Sequence, residues 1–260
     1  MADLRDYEKA FAAAGLAHVA VFHRQSTGST NDDAKALAGE RDPQDPAIAV
    51  MIAETQTRGR GRGGKVWLSP RGSLALTLTI PRVTLSRLGA LPLGVGVCVA
   101  RALVDLGVEA RVKWPNDVLI NDKKVCGILC ESSIVDGRAR VYVGMGINVD
   151  VDARELAAAP QATSLNAHGV QIARPTLAAD IARRVLATVR VEGPAAGLIR
   201  EWKEVSIGWW GKEATLAENG TEKRVRVLDV DEEGRLIIRD DTGLIRSLVS
   251  GDVRNLRPTT

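Results

Sequence analysis

The chain is poor in the residues that most often announce a chemistry. It holds three cysteines, Cys98, Cys126 and Cys130, and three histidines, His18, His23 and His168. If the segment around Cys126 and Cys130 is a strand, their interval spans roughly 13 Å. A disulfide needs Cα atoms within about 7 Å. With Val125, Ile128 and Leu129 beside them, these thiols read as small buried hydrophobes. The histidines fall in no ligand spacing, so a zinc site built by the protein is not expected. Nothing suggests a Ser-His-Asp hydrolase. No run approaches about 18 apolar residues, which excludes a membrane-spanning helix. The start, Met1-Ala2-Asp3-Leu4-Arg5-Asp6, lacks the basic-then-apolar layout of a signal peptide, and the cytoplasm is the default expectation. Net charge is only +3, whereas proteins that live on nucleic acid usually carry a larger excess.

What is present is 260 residues, 45% of them hydrophobic, enough for one large domain and a small one. Residues 4–14 predict a short amphipathic helix, and His18 to His23 a strand. Ser26 to Asn31 predicts a polar loop, with a helix starting near Thr30 or Asn31 because both residue types cap well. Ile48 to Ala53 predicts a second strand. Ser73 to Ile80 has strict alternation, with leucines and Ile80 on one side and Ser73, Ala75, Thr77 and Thr79 on the other. Leu85 to Leu106 predicts one buried helix, with Gly94 and Gly96 inside it. Arg111 to Trp114 predicts a strand stopped by Pro115. Val118 to Ile120 and Val125 to Ile134 predict a hairpin around Asn121-Asp122-Lys123. Arg140 to Val149 predicts another strand, residues 153–168 a loop with helical pieces, and residues 176–191 and 194–206 two helices. After Trp209-Trp210-Gly211, short alternating segments over 213–217, 223–230, 235–239 and 244–248 are separated by turns at Asn219-Gly220, Glu233-Gly234 and Thr242-Gly243. They predict a small all-β barrel.

The densest feature is Arg58-Gly59-Arg60-Gly61-Arg62-Gly63-Gly64, with Gln56 before it and Lys65 and Trp67 after it. Glycine lets backbone approach a ligand closely, and arginine grips phosphate or carboxylate with a planar fork. The pattern suits a loop that closes over an anionic small molecule. A solvated loop or an RGG-like nucleic-acid tract has the same composition. Lys113-Trp114-Pro115-Asn116-Asp117 is the second cluster. Proline restricts the residue before it, so Lys113, Asn116 and Asp117 sit on a stiff turn that can set a cation, an amide and a carboxylate around a ligand. An ordinary turn with Asn116 and Asp117 bonding their own backbone fits as well. Lys124 stands at the mouth of an apolar strand in which Gly127 marks close approach. Gly144 and Gly146 leave a surface free of side chains before Asn148, whose amide can read a base edge.

In this order and spacing, Ser29-Thr30-Asn31, Gln56 with the Arg/Gly loop and Trp67, Lys113 to Asp117, Lys124 with Gly127, and Gly144 to Asn148 resemble the biotin protein ligase family. The likeness runs from about Ser26 to the C-terminus. It implies an α+β fold: a mixed central sheet with flanking helices, as in class II synthetases, over residues 1–208, and a small SH3-like β-barrel over 209–260. It implies joining of biotin to ATP, giving biotinyl-5′-AMP and pyrophosphate, then transfer of biotin to a lysine of a biotin carboxyl carrier domain. By position, Ser29, Thr30, Asn31, Gln56, Gly59, Arg60, Gly61, Arg62, Lys124 and Gly127 would bind biotin. Arg62, Lys65, Trp67, Lys113, Asn116 and Asn148 would bind ATP. Arg62, Lys124 and Asp117 would carry the chemistry, Asp117 by orienting or deprotonating the incoming amine. Mg²⁺ would arrive on the ATP phosphates, with no metal cage built by the protein alone.

Departures accompany the likeness. Position 65 is Lys where many members have Arg, and position 126 is Cys where a small apolar residue is common. Residues 157–163 hold no tryptophan to cover the adenine, as some members do. Only about 28 residues precede Ser29, too few for the winged-helix DNA-binding domain of some bacterial members, so no DNA partner is expected. No membrane partner is expected either, and edge-strand homodimers are compatible with the family. Lipoate or octanoyl ligases of related fold, a biotin-responsive DNA binder and a non-catalytic sensor are the competing readings.

Overall fold

A computed structural model of the chain describes residues 2–40, 42, 45–189, 195–218 and 221–257. The first helix, α1 (Leu4–Ala13), opens with a capping box: Asp3 accepts from the Asp6 amide, and Asp6 accepts from the Asp3 amide. Its Tyr7 and Phe11, one turn apart, are buried. Then come β1 (Ala20–Thr27), α2 (Thr30–Gly39), β2 (Ala49–Gln56), β3 (Ser73–Val83), α3 (Leu91–Val104), β4 (Ala110–Lys113), β5 (Asp117–Ile120), β6 (Lys123–Val135), β7 (Arg138–Asn148), α4 (Arg174–Val189) and α5 (Ala196–Val205). The seven strands form one mixed sheet in the order β1-β2-β3-β7-β6-β5-β4. The pair β1–β2 is parallel and the others are antiparallel. A separate antiparallel sheet follows, in the order β11-β10-β9-β8-β12, from β8 (Glu213–Glu218), β9 (Thr221–Val230), β10 (Leu236–Asp240), β11 (Ile245–Leu248) and β12 (Asp252–Arg257). No helix among the described residues is long and apolar enough to cross a membrane.

Several expectations shift. The helix expected over 85–106 is broken: a short 3-10 turn at Leu85–Arg87 precedes α3. Pro92 is the cause, because proline fits only the first turn of a helix. Gly94 and Gly96 lie inside α3 to admit neighbours: a Cβ at Gly94 would fall 2.4 Å from Leu198 of α5. The first strand begins later and runs longer than expected, taking Ser26 and Thr27 out of the loop. The turn between β5 and β6 is only Asn121-Asp122, both in the left-handed region at φ 49° and 60°. That is the twist a two-residue hairpin needs, and Lys123 is already strand. A fifth C-terminal strand, β12, pairs with β8; its run Val253-Arg254-Asn255-Leu256-Arg257 does not alternate. The turn expected at Asn219-Gly220, and residues 190–194 where one helix was to end and the next begin, lie outside the described residues.

Two interior features hold this frame. Glu54 of β2 is 5% exposed, yet it meets Arg174 of α4 at 2.7 Å, His23 of β1 at 3.2 Å and the Tyr7 hydroxyl at 3.4 Å. A buried carboxylate survives only with such partners, so one charge ties α1, β1, β2 and α4 together. The second is Trp114, fully buried, whose indole N–H donates to the carbonyl of Gly234 at 3.0 Å. Trp114 also lies under Gly251. The small sheet is thus seated on the Lys113–Asp117 turn.

Candidate active site

Glycines of β6 and β7 floor a cavity, and the small-residue side of β3 lies beside them on the same face. Directly opposed residues of antiparallel strands share a face. The register pairs Thr77 with Gly144 and Leu129, Ala75 with Gly146 and Gly127, and Ser73 with Asn148. Small residues in three neighbouring strands therefore form one shallow bed, with hydroxyls along one side. Helix α2 lies along β2, β3 and β7 at one end of it, and the Arg/Gly loop passes above.

The cavity on this bed measures about 660 Å³, a size suited to a small ligand. Its lining gathers Ser29, Thr30, Asn31 and Gln56 at one end, the loop residues Arg60 to Gly63, Lys65 and Trp67 above, Lys113 to Asp117 and Lys124 at the side, and Gly127, Gly144 and Gly146 below. Ala217, Ser250 and Gly251 of the second sheet close the mouth. Two expected residues stand outside the lining. Gly59 is buried at the loop base, where a Cβ would fall 2.5 Å from the carbonyl of Trp67; its place is to let two backbones touch. Asn148 is 2% exposed and donates to the carbonyl of Thr163 at 2.9 Å, while its Oδ1 is buried without a partner.

The neutral end is held by its own hydrogen bonds. Ser29 is the N-cap of α2, but its side chain makes no capping bond. Gln56 caps the helix instead: its Oε1 accepts from the Thr30 amide at 2.8 Å and lies 3.2 Å from the Thr30 hydroxyl. Because an amide N–H must meet an oxygen, this contact sets the Gln56 orientation, and Nε2 is the end left to donate. Asn31 is more committed than expected. Its Oδ1 lies 2.7 Å from the Thr77 hydroxyl, and its Nδ2 faces Glu131 at 2.7 Å and the carbonyl of Leu129 at 3.3 Å. Its side chain is a wall that is already hydrogen-bonded.

The cationic end comprises Arg60, Arg62, Lys65, Lys113 and Lys124, against Asp117 as the carboxylate in the lining. Lys124 pairs with Asp117 at 2.6 Å and lies 5.2 Å from the Trp67 ring centre. Arg62 sits 6.0 Å from the Trp114 ring centre and donates to the carbonyl of Val249 in the second sheet's turn. Burial pulls its guanidinium below the usual range, yet it remains charged at neutral pH. Arg60 meets Asp32 at 2.5 Å and Glu131 at 3.3 Å. Arg58 is exposed and lies over Gly28. Asn116 donates through Nδ2 to the carbonyl of Ile128 at 2.6 Å, which leaves Oδ1 for a ligand. Among the described residues, no group of three or more His, Cys, Asp or Glu is gathered for a metal ion.

The Trp67 indole lies on the glycine bed: a Cβ at Gly146 would fall 2.3 Å from Nε1, and one at Gly127 would fall 2.9 Å from the ring. The indole nitrogen is buried without a partner. Thr77 and Glu131 were missed from sequence. Thr77 had a signal, a hydroxyl on the small-residue side of β3. Glu131 had none beyond standing at the end of an apolar run.

The model of the Biotin/lipoate A/B protein ligase family matches residues 22–149, and that of the biotin protein ligase C-terminal domain matches 211–254. The biotin--[acetyl-CoA-carboxylase] ligase of Mycobacterium tuberculosis is 32% identical over 256 residues, covering 89% of this chain and 87% of that protein. The bifunctional ligase/repressor BirA of Escherichia coli is 32% identical over 213 residues, 78% of this chain; the match spans 65% of that relative's length. In solved structures, the biotin protein ligase of Aquifex aeolicus in complex with biotin and ATP has the same fold, with a TM-score of 0.70 at 24% identity over 92% of this chain and 99% of that one. The extent and identity of these matches, together with the two family models, place this chain in the biotin protein ligase family.

Proposed function

We propose that this chain activates biotin with ATP and transfers it to a lysine of a biotin carboxyl carrier domain. One observation carries the reading: a single cavity has a neutral, hydrogen-bonding end at Ser29, Thr30 and Gln56 and a five-cation end to which the Arg/Gly loop contributes Arg60 and Arg62. Biotin has the matching polarity, a neutral ureido ring at one end and a carboxylate at the other. Gln56 Nε2 and the uncommitted Ser29 hydroxyl suit the ureido group, with Thr30 and Asn31 framing it and Gly61 and Gly127 giving room.

In the first step a biotin carboxylate oxygen attacks the α-phosphorus of ATP. The bond to the β-phosphate oxygen breaks and pyrophosphate leaves. Two anions must meet, and negative charge builds at the α-phosphate. Arg62 and Lys124, fixed beforehand by Val249, Asp117 and the two tryptophan faces, are placed to hold that charge. Lys65 and Lys113 extend the cationic field toward the β- and γ-phosphates. Asn116 Oδ1 and Asp117 are hard oxygen donors of the kind that accept Mg²⁺ carried on phosphates, and the ion would offset phosphate charge there. Asn148 would meet the base through its unpartnered Oδ1, while Nδ2 keeps its bond to the Thr163 carbonyl. In the second step the carrier amine attacks the acyl carbon, the bond to the phosphate oxygen breaks and AMP leaves. Asp117 is the group at the site that can orient the amine and take its proton. We assign this chemistry to residues 1–208, with 209–260 closing the mouth, and place it in the cytoplasm, without DNA or membrane and with a homodimer permitted.

The test is mass spectrometry of a carrier domain incubated with the protein, ATP, Mg²⁺ and biotin, with lipoate in a parallel reaction. Biotin on one lysine supports the reading. Lipoylation without biotinylation would replace it with the lipoate ligase reading.

A further inference from the structure

The carboxylate of Glu131, on β6, collects donors from separate parts of the chain. Asn31 Nδ2 lies 2.7 Å and Arg60 Nη2 3.3 Å from Oε2, and Lys35 Nζ lies 2.6 Å from Oε1. Asn31 and Lys35 stand one turn apart on α2, so they reach the same group from one helix face. Arg60 belongs to the Arg/Gly loop. The Glu131 side chain is 24% exposed. Burial pushes its carboxyl up, but the bonds from Lys35 and Asn31 and the charges of Lys35 and Arg60 outweigh this and hold it below the usual carboxylate range. It is an anion at neutral pH, and its bonds are of the strong, charge-assisted kind.

Two consequences follow from this geometry. A terminal amide can turn over, exchanging donor and acceptor. With Nδ2 drawn to Glu131, the oxygen of Asn31 is turned to Thr77, and the neutral end of the cavity has one hydrogen-bonding pattern. Arg60, fastened to Glu131 and Asp32, pins the loop two residues before Arg62. The fixed end of the cavity and the loop above it therefore share one anion.

We propose that Glu131 is a positioning residue for biotin capture: its carboxylate orients Asn31 at the ureido end and, through Arg60, holds the Arg/Gly loop down over the occupied cavity. This rests on the biotin reading of the cavity. Glu131 touches no reacting atom, so it acts on biotin retention rather than on ATP.

Glu131→Gln in the full chain is the test, because glutamine still accepts from Asn31 but loses the charge that holds Arg60 and Lys35. Adenylate formation is measured against biotin and against ATP. In parallel, tryptic cleavage of the loop at Arg58, Arg60, Arg62 and Lys65 is followed with and without biotin. The expected result is a KM for biotin raised about tenfold, a KM for ATP within about twofold of wild type, and loss of most of the biotin protection of the loop. Circular dichroism checks folding. Should the glutamine variant unfold, Glu131→Asp, which keeps the charge but draws it back by one methylene from Asn31, Lys35 and Arg60, carries the same expectation. An unchanged KM for biotin with normal loop protection, or an equal rise in both KM values, overturns the proposal alone. A wild-type loop that biotin does not protect overturns the biotin reading of the cavity and the proposal with it.

Discussion

Lys124 and Asp117 face each other at 2.6 Å across the β5–β6 hairpin, with Lys124 also lying over the ring of Trp67. The cation assigned to the reacting oxygens and the carboxylate assigned to the amine are thus partners before any ligand is present. The hairpin register places Asp117 beside Gly127 and Lys124 beside Leu119, which brings the pair to one side of the cavity.

That pairing separates the two half-reactions. Lys124→Ala and Arg62→Ala should each slow adenylate formation by about 10²–10³ while the protein stays folded, the usual effect of removing a preorganised donor. Asp117→Asn should show its larger defect in the second step. Given preformed biotinyl-5′-AMP and carrier domain, transfer is expected to fall by about 10²-fold or more. Rapid-quench measurement of each half-reaction is the check, and normal transfer by Asp117→Asn removes it from the mechanism.

Gly146→Ala addresses the glycine bed. Its new methyl would fall 2.3 Å from the Trp67 indole nitrogen, so the ring must leave its seat. Overpacking of this kind costs about 1–3 kcal/mol. Thermal unfolding should show that loss, and adenylation should fall with it because Lys124 loses the ring beneath it. A variant with wild-type stability and activity would show that Trp67 is free to move off the bed at no cost.

Trp114→Phe addresses the seat of the second sheet. It keeps an aromatic ring but leaves a small void and removes the donor to the Gly234 carbonyl, and an orphaned buried acceptor alone costs about 1–3 kcal/mol. Because the Val249 carbonyl of that same sheet holds Arg62, the variant should also raise the KM for ATP. Denaturant titration and steady-state kinetics measure the two effects, and a stability loss with unchanged kinetics would uncouple the seat from Arg62.

The thiols supply the pH dependence. Burial, then the Glu131 charge, pushes Cys130 up to about 12, and burial pushes Cys126 up as well. An unfolded thiol titrates near about 8.5. The folded pKa is the higher one, so the contribution to stability is intact below the unfolded value and declines as pH rises toward the folded one. Stability should therefore fall in alkaline solution above about pH 8.5, and less steeply in Cys126→Ala or Cys130→Ala. A disulfide reagent at pH 8 should label Cys126, which is fully buried, at the rate of global unfolding, and Cys130, which is half-buried, sooner. Rapid labelling of Cys126 in the native protein would contradict its burial.

The strands that carry the site were legible because their alternation is strict: the Ser73-to-Thr79 side of β3 could be read directly, and its partners in β6 and β7 announced themselves as glycines. The charged clusters at Arg58–Gly64 and Lys113–Asp117 were legible for the same reason, being dense in sequence. What escaped depends on register and docking. Glu131 matters because β6 sets it beside Asn31 and Arg60, which are 100 and 71 residues away. Trp114 reads as a stiffener of its turn, and only the docked sheet reveals its bond to Gly234. Asn148 reads as a base reader, but its neighbour Thr163 comes from a loop without periodicity. The break before α3 was written in Pro92, a start signal masked by the apolar run around it.

The most direct measurement of the central claim is formation of labelled adenylate from [α-³²P]ATP and Mg²⁺ by the purified chain, with biotin, lipoate or no acid added. The account predicts biotinyl-5′-AMP and pyrophosphate only when biotin is present, and loss of that product in Arg62→Ala. Adenylation of lipoate in preference to biotin, or no biotin-dependent product from folded protein, would contradict it.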